Sequence, residues 1–167
     1  VFNGSSSYIS TGINHSNLSA LSYSFWFQQN SNTGNSRIFG GVNGSGTNRG
    51  MLRVRADDDQ INYYSINNTT YTFSKGLTDD TWQHIIVTDN GSTGVKLYVD
   101  GTEITSPSTS AYTSVTNTNL QIGRGMKNTG SIGNYTNGQL DQVRIFNKAL
   151  SSSEVTTLSN ETHASTT

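Results

Sequence analysis

The chain has 167 residues, no cysteine and a formal net charge of −1, and this length suits one domain with one core. The missing cysteine excludes a disulfide framework and a thiolate metal site, while the near-neutral charge without a Lys/Arg cluster argues against a nucleic-acid partner. No apolar run is long enough to insert into a membrane, and the low hydrophobic content of 31%, with abundant Ser, Thr, Asn and Gly, favours a sheet-rich fold with many turns.

Alternation of apolar and polar residues predicts strands along most of the chain. In Val95–Asp100 the apolar residues occupy every second position, which indicates a strand buried on one face only. Asn90-Gly91 and Asp100-Gly101 tolerate positive φ and are typical of hairpin turns. The predicted strands are Ser22–Gln29, Met51–Ala56, Trp82–Asp89, Val95–Asp100 and Asp141–Phe146.

One short helix is predicted near the end of the sequence. Ser151 and Glu154 have the spacing of a capping box, and Val155 with Leu158 forms a small apolar stripe. The residues that follow are polar, and we expect them to fray or to act as a linker. We therefore divide the chain into a β-sandwich over residues 1–159 and a polar tail over residues 160–167.

Four segments, in order, carry motifs that span residues 2 to 158. They are Phe2-Asn3-Gly4 with Tyr8-Ile9; Ser24–Phe27; Thr81–Thr88 with Leu97–Gly101; and Leu120–Gly123 with Gly138–Asn147, Ala149–Ser151 and Glu154. This ordered set resembles the laminin G-like, concanavalin A-like lectin/glucanase superfamily. The resemblance implies an all-β, antiparallel jelly-roll sandwich with one short C-terminal helix, in which the last strand returns beside the first.

The largest side chains are expected to fill the space between the two sheets. Sheets that pack face to face lie roughly 10 Å apart. Trp26 and Trp82 lie in two of the predicted strands, and they are the bulkiest residues available for that gap. We therefore expect both tryptophans in the core.

The acidic residues argue against catalysis. Glycosidases on this fold use paired carboxylates on one strand, but neither Glu103, Glu154 nor Glu161 has another acid two residues away. No G-x-S-x-G motif is present either. His84, the one histidine within a predicted strand, is interpreted as a packed residue, with a role as ligand or base as the alternative. The sequence therefore predicts a protein that is not an enzyme.

The resemblance implies calcium as a candidate structural cofactor. Calcium takes six to eight oxygen ligands from carboxylates and carbonyls. Asp141, at the start of the closing strand, is the best side-chain candidate, with the carbonyls of Asn3 and Gly4 as companions. Two observations weigh against this site: Asp141 can instead bind loop amides, and Ser7 stands where relatives often carry Asp.

Carbohydrate binding uses exposed aromatic rings flanked by amide and charged side chains. The long loops rich in Gly and Asn are where we expect such a site, because binding residues concentrate on loops held by a rigid scaffold. For each tyrosine the alternative is plain packing on the sheet. The candidate ligand-binding residues are Tyr112 and Tyr135 as stacking platforms and Arg49, Arg124 and Asn128 as hydrogen-bonding groups.

The sequence thus predicts a non-catalytic recognition or adhesion module that binds glycans, on a secreted, cell-surface or virion-surface protein. The alternative is a structural surface protein, such as a virion decoration or tail-fibre domain or a filament subunit. That protein would act through contacts with surface proteins, with copies of itself or with virion or filament neighbours. An exposed aromatic cluster in one loop group would favour glycan binding, and a long unpaired edge strand would favour assembly.

Overall fold

The predicted antiparallel sandwich with one short helix is confirmed by a computed structural model. It describes residues 1–15, 18–30, 34–41, 47–48, 50–55, 57–74, 76–105, 107–112, 114–115, 119–126 and 132–163. The strands are β1 (Phe2–Asn3), β2 (Ile9–Ser10), β3 (Leu21–Gln29), β4 (Asn35–Gly41), β5 (Thr47–Asn48), β6 (Met51–Arg55), β7 (Gln60–Tyr64), β8 (Thr69–Ser74), β9 (Trp82–Asp89), β10 (Lys96–Val99), β11 (Thr102–Ile104), β12 (Ser108–Ala111), β13 (Ser114–Val115), β14 (Leu120–Ile122), β15 (Gly125–Met126), β16 (Ile132–Gly133) and β17 (Asn137–Phe146); the helix α1 is Ser152–Ser159.

Two large sheets form the layers of the sandwich. One has six strands in the order β1-β17-β3-β9-β10-β11, and the other has seven in the order β12-β8-β7-β6-β4-β14-β2. The long strand β17 pairs with β1 on one side and with β3 on the other, so the end of the fold closes beside its beginning. Two short pairs, β5 with β13 and β15 with β16, lie outside these sheets.

Alternate residues of β3 build the core between the sheets. Tyr23, Phe25 and Phe27 are buried and point inward, because side chains of a strand alternate between its faces. The ring of Tyr23 stacks on Phe39 of the opposite sheet with centroids 4.1 Å apart, and Phe25 meets Phe39 edge-on at 5.2 Å. Phenylalanine and tyrosine rings therefore meet across the two sheets, within a core that also contains many Leu, Ile and Val side chains.

The two tryptophans lie outside this core, which corrects the expectation that they fill the gap between the sheets. Trp26 alternates with the inward phenylalanines of β3, so its indole is on the outer face of the six-stranded sheet, stacked on His84 at 5.1 Å. Trp82 lies on the same face and stacks on His163 at 4.1 Å. The tail residue His163 thus covers both indoles, since it also meets Trp26 at 5.4 Å.

The helix covers the other end of this outer face. Ser151 is the N-cap and forms the predicted capping box with Glu154. Val155 packs against Ile86 and Tyr98. Strand β10 is therefore covered on both faces, whereas the alternation in its sequence predicted burial on one face only. No helix in the described part of the chain is long and apolar enough to cross a membrane.

The segment after the helix is docked and not frayed as far as His163. Arg144 pairs with Glu161 at 2.7 Å, and Asp141 lies 3.3 Å from the Nε2 atom of His163. Helix α1 and residues 160–163 together cover part of the outer face of the six-stranded sheet.

Candidate functional site

A polar cleft of about 390 Å³ lies between the β1–β17 edge and the start of β4. Its walls come from three parts of the chain: the turn after β1, the entry into β4, and the segment between β16 and β17. No carboxylate is among the described residues that line it. They are Asn3, Gly4, Gly34, Asn35, Ser36, Asn134, Tyr135 and Asn137.

Backbone hydrogen bonds hold the wall formed by residues 134–136. The N–H of Arg37 donates to the carbonyl of Asn134 at 3.0 Å, and the hydroxyl of Thr136 donates to the carbonyl of Arg37 at 2.8 Å. Gly4 has a φ of +73° and donates its N–H to the carbonyl of Thr136 at 2.8 Å. Asn134 itself has a φ of +53°, a conformation that asparagine tolerates better than most residues. The cleft is therefore preformed by the fold.

In two of the lining asparagines, the side-chain oxygen already accepts hydrogen bonds from the protein itself. The Oδ1 atom of Asn3 accepts from the backbone N–H groups of Ser5, Ser6 and Ser7 at 2.9–3.1 Å. The Oδ1 atom of Asn137 accepts from the side-chain amide of Asn30 at 2.8 Å. These residues shape the wall and offer little acceptor capacity to a ligand.

Asn35 and Tyr135, unlike Asn3 and Asn137, retain groups that the protein itself does not fully use. The side-chain amide nitrogen of Asn35 donates weakly to Asp57 at 3.4 Å, but its Oδ1 atom is buried and accepts no hydrogen bond. Tyr135 is half-buried in the same lining. The Oδ1 atom of Asn35 therefore has unused acceptor capacity at the wall of the cleft, and the Tyr135 ring can pack on the apolar side of a sugar ring.

The three residues proposed for calcium do not form one ligand set. Asn137 pairs with Asn3, and Asp141 lies four residues farther along β17, so about 13 Å of strand separates them. The Oδ1 atom of Asp141 accepts from the N–H of Gln142 at 2.8 Å. In the described ranges no group of three or more His, Cys, Asp or Glu could hold a metal ion. Calcium binding stays a prediction.

Tyr112 holds a loop in place. Its hydroxyl donates to the carbonyl of Ser65 at 2.7 Å, and its ring meets Tyr64 edge-on at 5.5 Å. Two of the other candidate binding residues, Arg49 and Asn128, lie outside the described residues. Of the candidate ligand-binding residues that the structure describes, only Tyr135 lines the cleft.

Arg124 lies on the outer side of β14. Its Nε atom donates to the side-chain oxygen of Gln121 at 3.0 Å, and its guanidinium carbon is 3.2 Å from the ring centroid of Tyr8. Tyr8 is exposed, so this cation–π pair faces solvent. The structure therefore brings Asn3, Gly4 and Tyr135 together and places Arg124 elsewhere.

Sequence reasoning missed a polar row on the outer face of the seven-stranded sheet. Arg37, Arg53, Asn62 and Thr72 lie directly opposite one another on four adjacent strands. Arg53 donates to the Oδ1 atom of Asn62 at 2.6 Å, and the amide of Asn62 donates to Thr72 at 2.9 Å. Burial, and then the charge of Arg53, lowers the pKa of Arg37 to about 10. Only strand pairing reveals such a row, because its members are far apart in the sequence.

The glutamates all form ion pairs away from the cleft. Glu103 pairs with Lys96 at 3.0 Å, Glu161 pairs with Arg144, and Glu154 pairs with Lys148. His84 is 2% exposed, and its Nε2 atom is 2.9 Å from the hydroxyl oxygen of Ser24. This histidine is packed, as the sequence favours, and burial lowers its pKa.

Comparison with known proteins decides the family. The sequence profile of the Concanavalin A-like lectin/glucanases superfamily matches residues 3–156. The chain belongs to this superfamily. The match confirms the resemblance found in the motifs, and it includes the residues that line the cleft. No curated protein is similar enough in sequence to count as a match.

Solved structures of low sequence identity share the fold. A candidate carbohydrate-binding protein from Bacteroides ovatus is 18% identical, with a TM-score of 0.64 over 92% of this chain and 45% of that one. The CBM40 of a Ruminococcus gnavus sialidase, solved with α2,3-sialyllactose, is 12% identical, with a TM-score of 0.61 over 93% and 98% of the two chains. A heptameric pentraxin from Limulus polyphemus is 13% identical, with a TM-score of 0.59 over 86% and 70%. This superfamily member therefore spans less than half of the first structure and nearly all of the second.

Proposed function

We propose that this superfamily member is a non-catalytic recognition module that binds a glycan in the cleft beside β4. The observation that carries the proposal is the lining itself: amide side chains and one tyrosine, an unpartnered acceptor on Asn35, and no carboxylate. Glycan sites combine an aromatic surface with a few polar groups that fix orientation. Most glycosidases use two carboxyl groups that flank the glycosidic bond, so a described lining without carboxylates supports binding over catalysis.

The descriptions of the superfamily and of the similar structures support this proposal. The superfamily includes lectins, and two of the similar structures are of proteins described as carbohydrate-binding or solved with a saccharide. As part of the same proposal, the protein is secreted or displayed on a cell or virion surface and acts in adhesion. Its composition, rich in Ser, Thr and Asn and without cysteine, is compatible with that location.

The test is a glycan array, followed by titration of the strongest hit against matched tyrosine variants. We expect Tyr135→Ala to weaken binding about tenfold or more, the usual effect of removing an aromatic anchor. Tyr112→Ala is the matched control, because it removes a ring that packs on the protein, and we expect it to lower stability and leave affinity unchanged. The reverse pattern would place the ligand at the Tyr112 loop. An array without hits would contradict the glycan function.

Calcium is tested on the same samples. Titration of calcium chloride into protein treated with a chelator, with Asp141→Asn as the matched variant, checks the predicted site. A rise in Tm that Asp141→Asn abolishes would support a calcium site at that carboxylate. A rise that this variant keeps would contradict Asp141 as a ligand.

Assembly through strand edges has less support. The described edge strands of the two sheets, β1, β11, β12 and β2, are two to four residues long, and short edges are a device by which proteins avoid edge-to-edge pairing. Size measurement by light scattering tests this alternative. A stable oligomer together with an empty array would place the structural function ahead of glycan binding.

A further inference from the structure

Two arginines face each other on the outer side of the seven-stranded sheet. Arg37 of β4 is paired directly with Arg53 of β6, and both side chains project from the face opposite the core. Like charges directly opposite one another destabilise a sheet. Arg37 is also 2% exposed, so water does not screen this repulsion. Such a pair needs a compensating negative charge.

The described residues supply only part of that charge. Asp57 and Asp58 favour the charged form of Arg53, but burial is the larger effect and lowers the pKa of Arg53. The nearby acids Asp57 and Asp58 form ion pairs with Arg55, which is the next residue after Arg53 on the same face of β6. Within the described part of the chain Arg37 forms no ion pair, and its Nε and Nη1 atoms, like the Nε atom of Arg53, make no hydrogen bond. Buried cations are normally paired and hydrogen-bonded, because taking a charge out of water is costly.

The two arginines differ in their accessibility to an external group: Arg37 is buried, and Arg53 is only partly buried. Gly125 lies directly over the stem of Arg37, where a Cβ atom would be 3.0 Å from the Cδ atom of the arginine. Arg53 is only partly buried, and its guanidinium lies 5.9 Å from the ring centroid of Tyr64. Arg37 thus forms the inner end of the site and Arg53 its entrance. Helix α1 and residues 160–163 lie against the other sheet.

We propose that the Arg37–Arg53 pair binds the carboxylate of an acidic saccharide. The guanidinium presents a planar fork of N–H donors that matches a carboxylate with two parallel hydrogen bonds. The inference rests on the proposed glycan function and names the class of ligand. Arg37 is linked to the cleft, since it follows Ser36 and its N–H donates to the carbonyl of Asn134, both of which line the cleft.

The test compares two saccharides that differ only at C6, where one carries a carboxylate and the other a hydroxymethyl group. Calorimetric titration with a glucuronic acid-containing oligosaccharide, and with the parent glucose-containing oligosaccharide, measures the preference for the acid. We expect the acidic form to bind about 10- to 100-fold more tightly, the effect of charged hydrogen bonds. The preference should fall as sodium chloride is added. Equal binding of both forms would overturn the inference and leave the glycan function intact.

Two arginine variants separate a ligand site from a structural role. Arg37→Met should abolish the preference for the acid without lowering Tm, because it removes a buried charge that has no partner. Arg55→Met is the matched control, since that arginine is paired with Asp58, and it should keep the preference. A preference that survives Arg37→Met, or a Tm that falls sharply in that variant, would overturn the proposal.

Simple anions distinguish failure of this inference from failure of the glycan function. Sodium glucuronate, sodium sulfate and sodium chloride are compared at equal ionic strength for their effect on Tm. A rise with glucuronate that Arg37→Met abolishes supports the arginine site, even if no oligosaccharide binds and the glycan function fails. An equal rise with sulfate would overturn the choice of a carboxylate.

Discussion

Asp89 is a buried carboxylate that ties the two sheets together, and its removal tests the structural reasoning most directly. It ends β9 of the six-stranded sheet and is 0% exposed. Its Oδ2 atom accepts from the hydroxyls of Tyr63 and Ser65, at 2.9 and 2.8 Å, and from the N–H of Ile66 at 3.0 Å. Its Oδ1 atom accepts from the N–H of Gly91 at 2.8 Å. Asp89→Ala would leave all of these donors without an acceptor.

The expected loss follows from the donors left behind. A buried donor without a partner costs roughly 1–3 kcal/mol, and three of the four donors belong to buried residues of the seven-stranded sheet and its following turn. Water entering the new cavity can satisfy part of this set. We therefore expect the free energy of unfolding to fall by about 4 kcal/mol, a large share of the roughly 5–15 kcal/mol of an ordinary domain.

Urea unfolding followed by circular dichroism measures the loss. Asp58→Ala is the matched control, because Asp58 forms a partly exposed ion pair with Arg55, and such pairs contribute at most about 1 kcal/mol. A double-mutant cycle with Tyr63→Phe should give a coupling of about 1–3 kcal/mol between Tyr63 and Asp89. A loss below about 1 kcal/mol for Asp89→Ala, or a coupling near zero, would refute the assigned network.

Three further predictions concern the hairpin turn, the buried histidine and the tail. Gly91→Ala should prevent folding or lower Tm severely, because φ is +74° and the new Cβ atom would lie 2.0 Å from the carbonyl oxygen of Ser19; a Tm within a few degrees of the parent would contradict this close approach. Burial lowers the pKa of His84 below 6.5, so the unfolded chain takes up a proton that the folded chain does not. Stability should therefore fall as pH drops below about 6.5 and level off below the folded pKa, and urea titrations should show a weaker pH slope for His84→Gln. His163→Ala removes the stack on Trp82 at 4.1 Å, which should lower the free energy of unfolding by about 1 kcal/mol and shift tryptophan emission to the red; unchanged emission would show that the tail does not cover the indoles in solution.

Features that depend on neighbours in the sequence were predicted from the sequence. Strand β9 has the predicted bounds, Trp82–Asp89, because apolar residues and flanking turn signals define it locally. The hairpin turn at Asp100-Gly101 has positive φ at both residues. The capping box at Ser151 is formed by residues three positions apart. Each of these is a short-range preference of the backbone, and tertiary packing reinforces it.

The face that each strand buries was decided only by the tertiary structure. Phe25, Trp26 and Phe27 are consecutive and apolar, so a two-residue period cannot say which face is the core. The phenylalanines occupy the core, and Trp26 lies on the outer side of the same sheet, where His84 and His163 cover its indole. Helix α1 covers the other end of this side, which explains why Tyr98 is buried on a strand predicted to be exposed on one face.

The candidate site could not be assembled from the sequence for a related reason. Asn3, Asn35 and Tyr135 lie in distant parts of the chain and meet because β1 pairs with β17 while residues 134–136 bond to β4. Arg37 and Arg53 become a pair only through the register of β4 with β6. The sequence by itself determined the superfamily, five of the strands and the local turns, because these depend on short-range patterns. The tertiary structure alone decided the cleft and the arginine pair, because both depend on strand pairing between segments that the sequence keeps apart.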